Sequence, residues 1–248
     1  MQGFFMGLWL GGHSLDVVPV AVAQDGAAVI QGEPVELAVE RADGILQAHE
    51  SRMQVGNRRG EGWGMTYLSN LFHQKGEDET ALSYARQAVE IGREMNDRHI
   101  RGYALTNLGN ALAGLGHWVA AADAYRQALT LRQELGEATL AMESQAGLAC
   151  ATLAQGDLSQ VSTHVEEILH YLETGSLHGA DDPFRIYLTC YQVLQADRHP
   201  RARDILDTAC RLLQERAAKI GDDALRRSYL QNVPAHRELL AAWAETRA

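Results

Sequence analysis

The sequence lacks any apolar run long enough to cross a bilayer. The longest near its start, Phe4 to Leu10, falls far short of the ~20 residues a spanning helix requires, even when extended through Gly12. Cysteine is equally scarce. Cys150, Cys190 and Cys210 form an odd set with no Cys-x-x-Cys spacing, which fits buried thiols in a reducing cytoplasm better than a disulfide framework. A pooled basic stripe is also missing. The formal net charge is −10, and the arginine pairs Arg58-Arg59 and Arg226-Arg227 stand far apart, so phosphate backbones are repelled and no nucleic-acid partner is expected. A secretory reading of Ala21-Val22-Ala23 as a cleavage site is disfavoured. No Lys or Arg precedes the apolar run, and His13, Asp16 and Pro19 make the interval before the small residues long and polar. The plainer reading of this stretch is the truncated edge of a larger helical array.

Catalytic signatures are absent as well. The ten histidines include no His-Glu-x-x-His or other short ligand cluster, so no metal is expected, and exposed or capping roles are the plain expectation for them. Gly109 and Gly114 have the outer spacing of a phosphate loop, but Leu115 and Gly116 follow where Lys and Ser or Thr are required. There is no Gly-x-Ser-x-Gly elbow, and no neighbouring base activates a cysteine. The sequence therefore predicts neither an enzyme nor a cofactor.

What is present is a repeat. With 46% hydrophobic and 22% charged residues in 248, the chain has enough apolar side chains for a substantial core. Gly62 and Gly102, Leu68 and Leu108, Asn70 and Asn110, Gly76 and Gly116, and Ala81 and Ala121 all stand 40 residues apart. Arg86-Gln87-Ala88 recurs as Arg126-Gln127-Ala128, and Leu148, Gly156 and Ile168 continue into a third copy. Similarity at a fixed period of this length marks stacked supersecondary units that cannot bury their apolar faces alone. Inside a copy the spacing is helical: Leu105, Leu108, Leu112 and Leu115 lie three or four apart, as do Ala121, Tyr125 and Ala128, with Gly116 breaking the pattern between them. Two antiparallel helices joined by a tight glycine turn follow from that arrangement.

The run Asn107-Leu108-Gly109-Asn110-Ala111-Leu112, then Gly116, Ala121, Tyr125 and Ala128, resembles the tetratricopeptide repeat. The first copy matches through Leu68, Phe72, Gly76, Ala81, Ala85 and Ala88, with Ser69 where glycine is usual. The resemblance implies an all-α, right-handed α-α superhelix of about four to five hairpins. The period of 40 exceeds the family's usual value of about 34, and the closing proline is missing, with Arg93 and Gln133 near its place. Longer helices turning at Asn96-Asp97 and Gly136 would absorb the difference.

Three segments result. Residues 1–31, with Pro19 and Gly26, resist assignment and are read as a degenerate or truncated repeat. Residues 32–221 form the array, beginning with a helix through Ala38, Ala42 and Ile45 and ending with one through Ala202, Leu206 and Ala209 after a turn at His199-Pro200. Residues 222–248 read as two capping helices, with Asp222 or Asp223 as N-cap and Pro234 opening the second. Leu225, Leu230, Val233, Leu239, Leu240 and Trp243 would cover the apolar end of the array. The run from Arg226 through Glu238 is also similar to the end of long-period repeat regions in large bacterial ATPase, cyclase-like and transcription-regulator proteins.

In the family resembled, the first helix of each hairpin lines a concave groove. That places Trp63, Thr66, Asn70 and His73 in one copy, and Tyr103, Thr106, Asn107 and Asn110 in the next, at the expected ligand-binding surface. Amides there suit an extended peptide backbone, and the aromatics supply amphipathic contact area. A chaperone-tail clamp is disfavoured, because Thr66, Glu143 and Gly147 stand where basic residues are wanted. The expected function is a cytoplasmic protein- or peptide-binding scaffold in a bacterial regulatory system. The alternative is a sensor binding a short signal peptide or small molecule in the same groove. No membrane partner is expected, and self-association is left open.

Overall fold

The computed structural model describes residues 58–177 and 179–246, together with a short antiparallel pair of strands, β1 (Val20–Val22) and β2 (Ala28–Ile30), in which Ala21 faces Val29. The expected helix through Ala38, Ala42 and Ile45 lies outside the described residues. From residue 58 onward the chain is helical. Six helices follow one another: α1 (Arg58–Gln74), α2 (Asp78–Glu94), α3 (Arg98–Gly114), α4 (Trp118–Glu134), α5 (Ala138–Ala154) and α6 (Leu158–Thr174). Each has 17 residues, a rod of roughly 25 Å. Three-residue turns separate them, so the 40-residue period of the sequence is two equal halves.

Every one of those turns closes in the same way. Gly76, Gly116, Gly136 and Gly156 have φ between +72° and +82°, and Asn96 takes the equivalent place with φ +49°. The left-handed residue bends the chain so that two backbone N–H groups return to the last turn of the helix. At Gly116 these are Gly116 N to Ala113 O at 2.9 Å and His117 N to Leu112 O at 2.8 Å. Asparagine tolerates this conformation better than most non-glycine residues, which is why the turn at Asn96 still forms.

After α6 the regular beat breaks. Residues 175–182 cross to α7 (Pro183–Ala196), which pairs with α8 (Arg201–Ala217). The cap helices α9 (Asp223–Gln231) and α10 (Pro234–Glu245) finish the chain. Asp222 caps α9, its carboxylate accepting from Ala224 N and Leu225 N at 2.8 and 2.9 Å. Leu225, Val233 and Leu239 are buried, and Leu230, Leu240 and Trp243 pack against the apolar cluster that Leu239 forms with α7 and α8. The architecture is an all-α helical-repeat solenoid, with four hairpins and a capping pair among the described residues.

Consecutive helices pack along their length, and the first helices of successive hairpins also touch: α1 with α3, α3 with α5, and α5 with α7. The second helices make at most sparse contact with one another. The first helices therefore form the inner layer and the second helices the outer one.

Small residues set the spacing between layers. The Tyr125 ring of α4 is wholly buried between α3 and α5, where it lies against Gly109 and Gly147. A Cβ at either glycine would stand 2.5 or 2.4 Å from its ring carbons. Salt bridges at the hairpin edge repeat with the same period. Arg58 pairs with Glu94 and Arg98 with Glu134, while Arg59 pairs with Asp97 and His99 with Glu137. Each pair has a well-exposed basic partner and contributes little, so close packing is what fixes the layers.

Gly109→Ala tests that ranking. In an open helix the change stabilises by about 1 kcal/mol, but here the methyl group meets the Tyr125 ring. Overpacking outweighs propensity, and urea denaturation is expected to show a net loss of about 1–3 kcal/mol. A net gain would contradict the packing described.

Candidate functional site

The inner layer carries the eight residues singled out from the sequence, and the structure divides them by what their polar atoms do. Thr66 and Thr106 are buried and turn their hydroxyls to carbonyls of their own helices, Thr66 to Trp63 O at 2.7 Å and Thr106 to Gly102 O at 3.1 Å. Thr106 also meets the Ser144 hydroxyl of α5 at 3.0 Å. Asn107 donates its amide across to Thr66 O at 2.8 Å, tying α3 to α1. Asn110 accepts from the Tyr125 hydroxyl at 2.8 Å, tying α3 to α4. Thr106 and Asn107 thus join neighbouring hairpins, Asn110 joins the two helices of one hairpin, and Thr66 is satisfied within its own helix.

The other four, Trp63, Asn70, His73 and Tyr103, are half-buried. Trp63 of α1 and Tyr103 of α3 meet edge to face, with ring centroids 5.2 Å apart, and Tyr67 stacks on Trp63 at 6.3 Å. Trp63, Tyr67 and Asn70 follow at helical spacing along α1 and are half-buried. The indole N–H of Trp63 and the amide of Asn70 make no hydrogen bond among the described residues. His73, the fourth, is engaged: Nδ1 lies 2.6 Å from Asp78 Oδ1, and Nε2 lies 3.2 Å from Arg185 Nη1.

That last contact joins the first inner helix to the fourth. A guanidinium only donates, so His73 Nε2 accepts, and Nδ1 carries the proton given to Asp78. Burial, followed by the positive charge of Arg185, lowers the pKa of His73, in keeping with a neutral ring. Arg185 also stands beside the Tyr125 hydroxyl, whose pKa burial pushes up to about 12. A polar chain thus runs Asp78, His73, Arg185, Tyr125, Asn110 across the inner face.

A second polar group sits nearer the other end of the inner helices. Glu143 of α5 accepts from the backbone N–H of Asp181, and from that of Asp182 at 3.2 Å, so the crossing segment is pinned to the inner layer. Burial and the neighbouring Asp181 carboxylate raise the pKa of Glu143 well above the ordinary range. Burial likewise raises Asp181 to about 6, with Arg132 opposing. Arg132 itself is 1% exposed; it lies 4.0 Å from the Tyr103 ring centre and pairs with Glu137. Gly102 leaves room for it, since a Cβ there would stand 2.9 Å from Arg132 Nε.

Sequence reasoning did not assign Arg132, Glu143, Asp181 or Arg185 to a site. They break the repeat pattern instead of following it: Arg132 stands where the previous copy has Gly92, and Arg185 lies beyond the last clean copy. Asp182-Pro183 was the readable signal, since Asp182 caps α7 by accepting from Arg185 N at 3.1 Å, with Pro183 in the first turn. His236 corrects the expectation of exposed or capping histidines. It is fully buried between Phe184 and Tyr229, with Nδ1 2.7 Å from Tyr229 O. Cys190 and Cys210 are buried and none of the three cysteines is in a disulfide, with burial pushing Cys190 up to about 12. Among the described residues no three His, Cys, Asp or Glu side chains converge as a metal site, and no helix is long and apolar enough to cross a membrane. No family model matches this chain, and no curated protein matches it either.

The Glu143–Asp181 contact carries a pH signature. A carboxyl raised to about 6 from 3.8 binds its proton more tightly folded than unfolded, so its contribution is full below about 3.8 and is lost as pH rises through about 6. Asp181→Asn removes that titration. The stability of the wild type relative to the variant is expected to fall between about pH 4 and pH 6 and to level off above, as read by denaturation midpoints across that range. A difference that rises over this interval would contradict the assignment.

Proposed function

We propose that this chain is a protein- or peptide-binding scaffold of the tetratricopeptide type, serving as the interaction part of a regulatory system, and that its partner docks on the inner face of α1. The observation that carries this reading is the strip Trp63, Tyr67 and Asn70. Two large amphipathic rings sit half-buried beside an indole N–H and an amide that no described residue engages. Aromatic rings held by packing contribute contact area at low entropic cost, and an unengaged amide offers a donor and an acceptor to an extended backbone.

The rest of the inner layer supports this placement by being occupied. Around α5 and α7 it is filled by the protein's own groups, where Glu143 holds the 175–182 crossing and Arg185 reaches His73. A partner segment meets the α1 end without displacing these contacts. A sensor of a small molecule or signal peptide is the second reading, and the Arg185 guanidinium on the inner face is the observation that favours it. A groove-filling ligand would raise the thermal midpoint by mass action, whereas a transiently docking partner would leave it nearly unchanged.

The test is affinity capture from native lysate with the wild-type chain and with the Trp63→Ala, Asn70→Ala double variant. The wild type is expected to retain a discrete partner, and the double variant to lose it about tenfold or more while keeping its helical circular dichroism. Equal retention by both proteins would refute docking on α1.

A further inference from the structure

On the outer side, a cavity of about 620 Å³ opens between the α2–α3 turn and α4, with α3 as its floor. Three guanidinium groups line it: Arg98 and Arg101 from the first turn of α3, and Arg126 from α4. Two of them are already paired at the rim, Arg98 with Glu134 and Arg126 with Asp123 at 2.6 Å. Their side chains are 42% and 57% exposed, so these are weak pairs that exchange partners at little cost.

Arg101 differs from both. Its side chain forms no ion pair or hydrogen bond among the described residues, and its Nε is buried without a partner. Its stem is clamped against α2 at Gly92, where a Cβ would stand 2.7 Å from Arg101 Cγ. The repeat does not require an arginine there, since the positions 40 residues before and after are Glu61 and Ala141. Here, then, is a guanidinium packed at its stem and in no ion pair of its own, in a cavity lined by three arginines against two carboxylates, Asp123 and Glu134, each already paired with one of the other two arginines.

We propose that this outer cavity binds a phosphate group, held by Arg101 with Arg98 and Arg126 turning to it from the rim. A planar guanidinium fork matches tetrahedral oxyanions in bidentate fashion, and a dianion can engage several arginines where a single carboxylate engages fewer. The cavity is larger than a phosphate group alone, so the group arrives on a small molecule or on a phosphorylated side chain of a partner. With a net charge of −10 the protein's overall field repels anions, and the attraction is local to these three residues. The site is separate from the α1 strip: neither Trp63 nor Asn70 lines it.

The experiment is a titration of the full chain with inorganic phosphate at constant ionic strength, followed by heteronuclear NMR shifts, beside titrations with a phosphoserine peptide and its unphosphorylated form. Wild type is expected to show saturable shifts focused on residues 96–101 and 123–134. Arg101→Gln is expected to weaken binding about tenfold or more, and Arg203→Gln, an exposed arginine on α8, to leave it unchanged. Arg126→Gln, at an exposed rim position, serves as a second variant should Arg101→Gln lose its fold, with an expected loss of about threefold. Tighter binding of the phosphopeptide than of free phosphate assigns the group to a partner protein, and equal binding assigns it to a small molecule. Unsaturable shifts, or binding unchanged in Arg101→Gln or in a folded Arg126→Gln, would overturn the proposal.

Discussion

The packing of one phenol ring sets the geometry on which the inner face depends. Tyr125 reaches from α4 between α3 and α5, and the chain yields to it at Gly109 and Gly147, the two positions where a side chain would collide with the ring. With the ring seated there, the neighbouring inner helices approach closely enough for Thr106 to meet Ser144 across the gap. The hydroxyl ends between Asn110 and Arg185. Burial keeps it protonated at ordinary pH, so it donates to Asn110 and ties the packing of the outer layer to the polar chain of the inner one.

From that constraint the division of the inner face follows. The polar groups of α3, α5 and α7 are drawn into contacts between helices. Buried polar atoms that find partners hold a unique arrangement, whereas exposed pairs such as Arg58–Glu94 contribute little. What remains at the α1 end is an aromatic strip with unengaged donors, and on the outer side a guanidinium without an acid. Both are places where the molecule departs from satisfying its own groups, which is where association has most to gain.

Much of the fold was legible because it repeats. The 40-residue period, the glycine turns and the leucine and alanine spacing predicted paired helices, and the structure adds that the period is two equal halves closed by a left-handed residue at 76, 96, 116, 136 and 156. Asn96 shows why one of these turns was read from Asn-Asp instead of from glycine. The inner-face residues were legible as positions but not as roles. Asn107 and Asn110 face the expected layer, yet their amides tie helices together, because Asn107 donates to a carbonyl of α1 and Asn110 accepts from a phenol of α4. Arg185 meets His73 across 112 residues, and no local pattern encodes that contact. Arg101 escaped notice for the same reason: its meaning lies in the partner it lacks.

The central claim, that a partner docks on the inner face of α1, is tested most directly by site-specific photocrosslinking in cells. A benzophenone side chain in place of Tyr67, on the strip, is compared with one in place of Val119, which is 66% exposed at the start of α4. A discrete crosslinked species is expected from position 67 and not from position 119. The same species from both positions, or none from position 67, would contradict it.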